Sequence, residues 1–282
     1  MPELPEVETI VRGLRPQLQE RTITALRYDW PRTLHTPDAP IFAARIVGQP
    51  VRAVTRRGKY VVLTLSPDTL LIHLRMTGRL YVVPAEAQAE ADRWLRAAFA
   101  LDDGRELRFS DVRKFGRCYL LDDPAQVLGR LGPEPLDPRF TVEAFRRQLD
   151  GRRGRLKPTR LDQRVIAGVG NIYADEALFH AQLHPLRRVD TLNAGEIARL
   201  HAALQHVLRQ GVAREGASVD WYRKADGSRG SAQETLAVYG RAGQPCPRCG
   251  QPVERIVVAQ RGTHLCPRCQ PLHDKNDTGR YT

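Results

Sequence analysis

Apolar residues recur at helical spacing close to the start of the chain. Between Pro5 and Leu18 they fall on one face of a helix, and Pro5 stands in the first turn, where proline is tolerated. Short segments rich in β-branched residues follow at intervals of about ten residues, with Gly, Pro, Asp and Ser between them. The predicted strands are Thr22 to Tyr28, Val51 to Arg57, Tyr60 to Leu65, Leu70 to Met76, Arg105 to Ser110 and Arg117 to Leu121. This pattern predicts a β-sandwich flanked by helices.

The periodicity changes after Gly132-Pro133-Glu134-Pro135, where the prolines exclude a continuous helix or a central strand. Helical spacing then governs residues 142–149, 171–181 and 196–212. The chain is therefore predicted to be an α+β protein of several domains. We expect a β-sandwich domain at 1–131, a helical domain at 132–240, a cysteine-rich module at 241–271 and a C-terminal tail at 272–282.

Composition and charge narrow the class of protein. With 282 residues and 41% apolar side chains, the chain can bury two packed cores, which excludes a disordered tail protein. Its formal net charge of +12 favours a polyanionic partner. No apolar run reaches the roughly 18 residues that a membrane span needs, and acids follow Met1 where a secretion signal would carry cations. We therefore expect a cytoplasmic protein with no membrane partner.

The cysteines near the C-terminus form two Cys-Pro-Arg-Cys pairs, separated by sixteen residues. Four thiolates at this spacing close a tetrahedral zinc site. Two reactive redox pairs are the alternative, but the preceding sequence lacks a thioredoxin-like arrangement of strand and helix. We expect one structural zinc ion, with the ligands Cys246, Cys249, Cys266 and Cys269.

The residues between the two cysteine pairs predict a β-hairpin. Val253 to Ala259 and Thr263 to Leu265 form its strands, and Gln260, Arg261 and Gly262 form its tip. Because so small a module cannot bury a core of its own, bound zinc supplies its folding free energy. The hairpin would then present Arg261.

Gly168-Val-Gly-Asn171 precedes a predicted helix whose first turn includes Asp175 and Glu176. Glycines allow a close backbone approach, Asn171 can cap the helix, and free amides at a helix start bind phosphate. A plain glycine turn with an Asn cap is the alternative. Basic neighbours favour the phosphate hypothesis, and they are Arg152, Arg153, Arg155, Lys157, Arg160 and Arg164.

The N-terminal segment Pro2-Glu3-Leu4-Pro5-Glu6 has unusual chemistry. If Met1 is removed, Pro2 presents a secondary amine, and α-amino groups titrate near pH 8, so a neutral nucleophile is available. Attack on a sugar aldehyde carbon gives an iminium ion, which permits elimination of phosphate. Glu3 and Glu6 would divide the proton transfers between them. A solvated helix start is the alternative interpretation.

A series of motifs resembles the bacterial formamidopyrimidine-DNA glycosylase family, from residue 2 to about residue 270. The motifs are Pro2-Glu-Leu-Pro-Glu-Val-Glu8, Gly58-Lys59-Tyr60, His73-Leu-Arg-Met76, Asp111-Val-Arg-Lys-Phe-Gly116, Gly168-Val-Gly-Asn-Ile-Tyr-Ala174, Val238-Tyr-Gly-Arg241 and the four-cysteine finger. The resemblance implies a β-sandwich, a helix-two-turns-helix domain and a zinc finger, with damaged duplex DNA gripped in the cleft between.

The resemblance also implies an enzyme with two activities. Family members excise oxidised purines such as 8-oxoguanine and formamidopyrimidines, and then cut the strand at the abasic site by β,δ-elimination through a proline iminium. Pro2 would attack C1′, Glu3 would protonate the sugar ring oxygen, and Lys59 would contact a phosphate and donate a proton. We expect a monomer in the bacterial cytoplasm, associated with the nucleoid through DNA.

DNA contacts follow from the same resemblance. An enzyme that acts on a base must take it out of the stack, so apolar wedges and an arginine must fill the gap. Met76, Arg113 and Phe115 would do so. Asn171 and Arg261 would hold the phosphates that flank the flipped nucleotide. His73 and Lys157 complete the expected DNA contacts.

Two alternatives remain at this point. Endonuclease VIII-like enzymes for oxidised pyrimidines typically begin Pro-Glu-Gly-Pro, and Leu4 argues against that class. A noncatalytic zinc-finger DNA-binding protein would explain the charge and the finger, but it leaves Pro2, Glu3 and Lys59 unexplained. One segment departs from the family pattern: Gly230-Ser-Ala-Gln233 lacks the aromatic residue of the loop that is associated with holding the flipped purine.

Overall fold

Helix α1, Leu4–Leu18, begins at a reciprocal capping box formed by Glu3 and Glu6, and proline occupies its first turn. Its apolar face is fully buried against the sheets and comprises Val7, Ile10, Val11, Leu14 and Leu18. The computed structural model describes residues 1–87 and 92–272, without the side chain of Arg160. The predicted tail therefore lies outside the described residues, apart from Leu272.

Two sheets form the β-sandwich that the sequence predicts. The first has four antiparallel strands in the order β1-β7-β8-β6. Their bounds are β1 Ile23–Tyr28, β6 Gly78–Pro84, β7 Leu95–Leu101 and β8 Arg105–Asp111. The second has the order β2-β9-β5-β4-β3, and only β2 runs parallel to its neighbour. Its strands are β2 Leu34–Thr36, β3 Ala53–Arg57, β4 Tyr60–Thr64, β5 Thr69–His73 and β9 Arg117–Leu121.

The core of this unit lies between the two sheets and α1. Phe99 and Phe109 of the first sheet pack in one cluster with Leu63 and Ile72 of the second. Helix α2, Ala39–Ile46, contributes Phe42 to the same cluster. On the outer face, β4 and β5 bury a second small cluster beneath helix α3, Ala125–Leu128. Burial on both faces explains why these central strands are continuous apolar runs.

Three strands and two helices of this unit escaped the sequence prediction, and the helices are α2 and the four-residue α3. Strand β7 reads LRAAFAL, and alanine is a weak strand former, so propensity gives little signal there. Strand β2 has only three residues, too few for an alternating pattern. Strand β6 begins at a glycine and ends at a proline, residues typical of strand ends. Helix α2 spans eight residues and begins with a proline in its first turn.

The second unit is helical, as expected. Helix α4, Val142–Leu149, and helix α6, Asn171–Ala181, have the predicted bounds. Helix α5 spans Leu156–Leu161, and α7 spans Ala194–Ala213. A capping box starts α7, because Asn193 and Glu196 accept each other's backbone N–H at 2.9 Å. A short 3₁₀ turn lies at Val189–Thr191 in this unit. Two others lie at Pro31–Thr33, in the first unit, and at Ala232–Thr235.

The predicted hairpin is present, but its turn was placed incorrectly. Strand β10 is Glu254–Val258 and β11 is Arg261–Leu265, so the turn consists of Ala259 and Gln260, both with positive φ. Two residues with positive φ match the twist of a two-residue hairpin turn. Arg261 therefore opens the second strand and does not lie at the tip.

Contacts divide the chain into two compact units. The first comprises Met1–Arg130 together with Val212–Gln233, and the second comprises Leu131–Gly211 together with Glu234–Thr282. Residues 212–233 thus belong with the sandwich, whereas the predicted helical domain ran through them to residue 240. Among the described residues, no helix is both long and apolar enough to cross a bilayer.

Candidate active site and nucleic-acid interface

The N-terminal residues are buried at the start of α1. Pro2 is buried, and Glu3 and Glu6 are 2% and 1% exposed. The backbone N–H of Glu3 donates to Glu6 Oε2 at 2.8 Å, which fixes the peptide that follows Pro2. Met1, in contrast, is 41% exposed. Met1 therefore projects from a helix start whose following residues are held in place.

Glu6 also connects this helix start to a distant segment. Its second oxygen, Oε1, accepts the backbone N–H of Ala217 at 2.7 Å. At Gly216, φ is +81°, and an added Cβ would lie 3.0 Å from Glu6 Oε1, so a side chain there is strained and crowded. Both oxygens of Glu6 thus accept backbone donors. This geometry describes an anchor for two segments, a different role from the proton relay expected from the sequence.

Lys59 lies in the two-residue turn between β3 and β4, after Gly58 with φ of +56°. Its side chain is only 5% exposed. Two hydrogen bonds show that helix α1 runs antiparallel to β3. Arg15, near the helix end, donates to the Val54 carbonyl, and Glu8, nearer the helix start, accepts from the Arg56 side chain. Extending that register brings the Gly58-Lys59 turn toward the N-terminal end of α1, where Pro2 and Glu3 lie.

His73, at the end of β5, is buried against Tyr60 in an edge-to-face contact with ring centroids 4.7 Å apart. Its Nδ1 accepts the backbone N–H of Arg75 at 3.0 Å. Burial, with Arg75 and Lys59 as further causes, lowers the pKa of His73 to about 3. The imidazole is therefore neutral near pH 7, and its proton resides on Nε2, which is left as a hydrogen-bond donor.

The structure brings Met76, Arg113 and Phe115 together in one cluster. Arg113 Nη1 lies 3.1 Å from Met76 Sδ, and its guanidinium lies 4.7 Å from the centre of the Phe115 ring. Met76 and Phe115 are 43% and 47% exposed, so both side chains are available to a partner. The alternative of core packing is excluded for these two side chains.

Asp111 organises this cluster, a role that the sequence analysis missed. Its buried carboxylate accepts the Thr77 hydroxyl, the Arg113 backbone N–H at 3.2 Å and the Gly116 backbone N–H at 2.7 Å. It therefore ties the loop after β5 to the loop after β8. The available signal was its position at the head of the Asp-x-Arg-x-Phe-Gly motif.

The glycine turn before α6 differs in detail from the prediction. Gly170 is the N-cap, and Asn171 is the first helical residue. Asn171 Nδ2 donates instead to the Gly262 carbonyl at 3.0 Å, which joins the helix start to the hairpin. The first turn of the helix holds no acidic residue. Asp175 and Glu176 lie in the second turn, and both are buried.

Lys157 is fully buried, with 0% exposure. Its Nζ lies 2.7 Å from Asp175 Oδ1 and donates to Thr263 Oγ1 at 2.8 Å. Asp175 in turn accepts the backbone N–H of His264 at 2.9 Å. In this structure Lys157 is a support of the hairpin and is not a surface cation, so the geometry does not support the predicted direct DNA contact. Arg261 remains exposed on the hairpin.

Glu176 holds the Val238-Tyr-Gly-Arg241 motif, a second role that sequence reasoning missed. Its carboxylate accepts the backbone N–H groups of Ala237, Val238 and Tyr239 at 2.8 to 2.9 Å. Burial raises the pKa of Glu176, while these three donors act in the opposite direction. A buried acid on α6 therefore fixes the chain where it enters the cysteine module.

The four cysteines form a cluster that fits one structural zinc ion. Their sulfur atoms all lie within 4.8 Å of one another. Cys246 and Cys269 are 3.9 Å apart, and Cys249 and Cys266 are 3.5 Å apart. Zinc–sulfur bonds of about 2.3 Å in a tetrahedron require sulfurs about 3.8 Å apart. The cluster packs on Phe179 of α6 and on Val238, so the metal site is joined to the helical core. The fifth cysteine, Cys118, is buried in the sandwich, as expected for a small apolar residue.

Comparison with known proteins adds three family matches along the chain. The N-terminal domain of formamidopyrimidine-DNA glycosylase matches residues 1–118, and its H2TH domain matches residues 131–222. The zinc finger found in FPG and IleRS matches residues 243–272. These segments contain nearly all the site residues described above.

Individual relatives agree over nearly the whole length. The formamidopyrimidine-DNA glycosylase of Herpetosiphon aurantiacus is 50% identical, with 96% of this chain and 100% of the relative covered. The crystal structure of MutM (FPG) from Thermus thermophilus is 43% identical with a TM-score of 0.86, over 97% and 100% of the two chains. Lactococcus lactis Fpg in a complex with DNA containing an abasic site is 34% identical with a TM-score of 0.88, over 96% and 100%. The chain therefore belongs to the formamidopyrimidine-DNA glycosylase family.

Proposed function

We propose that this protein is a DNA glycosylase for damaged duplex DNA that also cleaves the strand at the abasic site. The observation that carries the proposal is the N-terminus: Pro2 and Glu3 are buried together at a capped helix start behind an exposed Met1. A DNA-binding protein without catalysis has no use for an ordered proline that becomes a secondary amine once Met1 is removed. Oxidised purines are the proposed lesions, because solved relatives include Lactococcus lactis Fpg in a complex with DNA containing Fapy-dG.

The proposed reaction begins after Met1 is removed, because the nitrogen of Pro2 is an amide until then and becomes a secondary amine with a pKa near 8. The neutral amine attacks C1′ as the bond between C1′ and the damaged base breaks. The base takes the bonding electrons and is protonated from water, and the new C1′–N centre loses its N–H proton. Glu3 protonates O4′ as the C1′–O4′ bond opens, which leaves an iminium ion on Pro2. Loss of a proton from C2′ then expels the 3′ phosphate, and a second elimination expels the 5′ phosphate.

Lys59 and His73 supply cationic and neutral donors beside this centre. Lys59 would contact a phosphate next to the lesion and donate a proton. His73 keeps Nε2–H as a donor because Arg75 occupies Nδ1, so it can bind a phosphate oxygen without adding charge. The charged donor of Lys59 and the uncharged donor of His73 would hold the DNA backbone at a fixed position relative to Pro2.

Base extrusion is assigned to the cluster that Asp111 organises. Met76 and Phe115 are exposed apolar side chains that can enter the stack, and Arg113 between them can hydrogen-bond the unpaired base. Their preassembly reduces the cost of ordering them when DNA binds. The proposed wedge therefore comes from two loops that share one buried carboxylate.

The second unit is proposed to bind phosphates through Asn171 and Arg261. Arg261 is exposed on a hairpin that zinc and the Lys157–Asp175 pair hold rigid. We propose that Lys157 affects DNA binding indirectly, by holding the hairpin, because its ammonium group is not exposed to solvent. The expectation of a cytoplasmic monomer is part of the same proposal.

Borohydride trapping tests the mechanism directly. Reduction during reaction with an 8-oxoguanine or abasic duplex should attach the DNA covalently, and mass spectrometry should place the adduct on a peptide that begins at Pro2. The matched control is protein that retains Met1, which should neither trap nor cleave. An adduct on Lys59, or full activity with Met1 retained, would make Lys59 the nucleophile. A panel of single-lesion duplexes with oxidised purines and pyrimidines tests the lesion class in the same assay.

A further inference from the structure

The chain contains two methionines, Met1 and Met76, and both are exposed. Removal of Met1, which the proposed mechanism requires, leaves Met76 as the single methionine of the protein. Methionine sulfoxide is a common oxidative lesion that polarises an apolar side chain. One exposed thioether is therefore presented to oxidants, and it belongs to the cluster that is proposed to extrude the base.

The fold holds the Met76 side chain at the surface. It stands in the turn between β5 and β6, whose flanking residues Leu74 and Thr77 are both buried. The Gly78 backbone N–H donates to the Leu74 carbonyl at 3.0 Å, and the Thr77 hydroxyl donates to Asp111. Because the turn is anchored on both sides of Met76, its thioether stays exposed in the folded protein.

The sulfur of Met76 keeps a lone pair for reaction. Arg113 Nη1 donates to Met76 Sδ at 3.1 Å in a contact that is itself exposed. A thioether sulfur is a weak acceptor with two lone pairs, so one hydrogen bond does not block attack on an oxidant. The adjacent guanidinium favours the negative charge that develops on the leaving oxygen. The contact with Arg113 is therefore compatible with oxidation of Met76.

The cysteines differ from Met76 in their exposure and chemistry. Cys118 is fully buried, and burial raises the pKa of its thiol, so the reactive thiolate does not form near pH 7. The other four belong to the metal cluster, where oxidation would release zinc. Zinc content therefore separates damage to the finger from oxidation of Met76.

Oxidation of Met76 would change two side chains of the proposed wedge at once. The sulfoxide oxygen is a strong acceptor, and the Arg113 guanidinium already lies beside the sulfur, so it would bind that oxygen. Arg113 would then be withdrawn from the unpaired base. A sulfoxide that enters the base stack without this partner would leave its oxygen without a hydrogen bond, which is unfavourable. In either arrangement base extrusion becomes harder.

We propose that Met76 is a redox-sensitive modification site, at which a peroxide forms a sulfoxide that engages Arg113 and reversibly inhibits base extrusion. The sulfur attacks one peroxide oxygen, an S–O bond forms as the O–O bond breaks, and the sulfur is oxidised by two electrons. With hydrogen peroxide the other oxygen leaves as hydroxide and takes up the proton of the transferred hydroxyl, which gives water. The effect on extrusion rests on the proposed function, whereas formation of the sulfoxide does not.

The chemical test treats the processed protein, which lacks Met1, with hydrogen peroxide. Peptide mass spectrometry should find one added oxygen on Met76, at a rate close to that of the same protein unfolded in urea, because the sulfur is already exposed. Methionine sulfoxide reductases should remove this oxygen. A bound duplex with a stable abasic analogue should slow the oxidation, because the side chain then lies in the stack.

The functional test compares two substrates before and after treatment. Excision from an 8-oxoguanine duplex should fall about tenfold once Met76 is fully oxidised, and it should return after reductase treatment. Cleavage of a preformed abasic site should change much less. Met76→Leu is the matched control, since leucine is apolar and forms no sulfoxide. Compared with its own untreated sample, this variant should lose little activity, and zinc is measured in every sample.

The outcomes separate the site from its consequence. Resistance of Met76 to peroxide in the folded protein would overturn the site, and so would an equal loss of excision in Met76→Leu or a loss that follows zinc release. A sulfoxide with unchanged excision, or oxidation that bound DNA does not slow, would overturn the effect on extrusion. Untreated protein that is inactive on every duplex would overturn the proposed function, while formation and reduction of the sulfoxide still test the site.

Discussion

The two compact units bury charged groups for different ends. In the first, the buried carboxylates of Glu6 and Asp111 accept backbone N–H groups from loops that carry exposed side chains. In the second, the fully buried Lys157–Asp175 pair holds the hairpin, and the buried Glu176 accepts backbone N–H groups of the chain that enters the cysteine module. The first arrangement positions a reactive surface, and the second stiffens a small module.

The difference follows from how much apolar surface each part can bury. The first unit has two sheets and α1 around one core. Because this core stabilises the unit, its buried carboxylates can serve to organise loops. The cysteine module packs only a small cluster against Phe179, so it needs the metal and an ion pair. Five experiments can break or sharpen this contrast, and they are ordered by the size of the expected effect.

Removal of one zinc ligand should have the largest effect. Cys249→Ala leaves three thiolates, so we expect loss of about one equivalent of zinc and loss of detectable DNA binding, while the first unit stays folded. Metal analysis and competition binding measure both. Cys118→Ala is the matched control, because Cys118 is buried in the sandwich and its loss should leave zinc in place. Full DNA affinity in a zinc-free protein would contradict the assignment.

Glu3→Gln should reduce base excision by about 10²- to 10⁴-fold, because an amide cannot deliver a proton to the opening sugar. The amide oxygen of Gln can still accept the backbone N–H of Glu6, so the helix start and lesion binding should persist. Single-turnover excision and binding assays separate the two effects. Glu8→Gln is the control on the same helix, where Glu8 pairs with Arg12 and Arg56. Equal losses in both variants would assign Glu3 a structural role only.

Two lysine ion pairs allow a direct comparison of the units. Lys157→Met leaves Asp175 buried without its cation and should destabilise the second unit by about 3–5 kcal/mol. Adding Asp175→Asn should recover much of this, because Asn still accepts the His264 N–H. Lys224→Met removes an exposed-side pair with Glu215 and should cost less than about 1 kcal/mol. Hydrogen exchange in each unit measures these changes in the free energy of unfolding. Equal changes in the two lysine variants would show that the two ion pairs do not differ in their contribution to stability.

Met76→Ala and Phe115→Ala should reduce excision of a damaged base about tenfold, because the wedges offset unstacking that costs a few kcal/mol. Cleavage at a preformed abasic site should change much less, since no base is extruded there. Paired rate measurements on the two duplexes test this. Val47→Ala, a 44% exposed apolar residue at the end of α2, serves as the control. Equal losses on both substrates would show that Met76 and Phe115 contribute to general DNA binding and not to base extrusion.

Much of this architecture is readable from local sequence. Helix α4 has strong periodicity, α6 has clear boundaries although it is buried on nearly all sides, and the cysteine spacing identifies the metal site without any fold. Strand β7 is invisible to propensity because it is alanine-rich and its order depends on pairing with β1 and β8. Tertiary pairing, which no local pattern contains, decides such strands.

The site residues divide in the same way. Motifs supplied Met76, Arg113 and Phe115, and the structure supplied Asp111 as their common anchor. Lys157 was expected to contact DNA because charge in a sequence does not reveal burial. The Glu6–Ala217 bond joins residues 211 positions apart, so no sequence window contains it.

Near neutral pH, the smallest effect concerns a histidine that each unit buries in the same local geometry. His73 accepts the N–H of Arg75 at 3.0 Å, and His184 accepts that of Leu186 at 3.1 Å. Burial is the first cause that lowers the pKa of His73 to about 3 and of His184 to about 4. In the unfolded chain each histidine has a pKa of about 6.5. Below that pH the unfolded chain binds a proton that the folded chain does not bind, so the stability of the folded state falls as pH falls.

Each histidine should therefore lower the free energy of unfolding of its own compact unit as pH falls, by about 1.4 kcal/mol for each step of one in pH between about 6.5 and the lowered pKa. His73→Gln should flatten the acid slope of the first unit, and His184→Gln that of the second, as measured by hydrogen exchange at pH 5 to 7. Because only His73 lies beside Lys59 and Arg75, only His73→Gln should also weaken DNA binding. Weaker binding by His184→Gln would show that both histidines serve the DNA surface, and the contrast between the units would not hold for them.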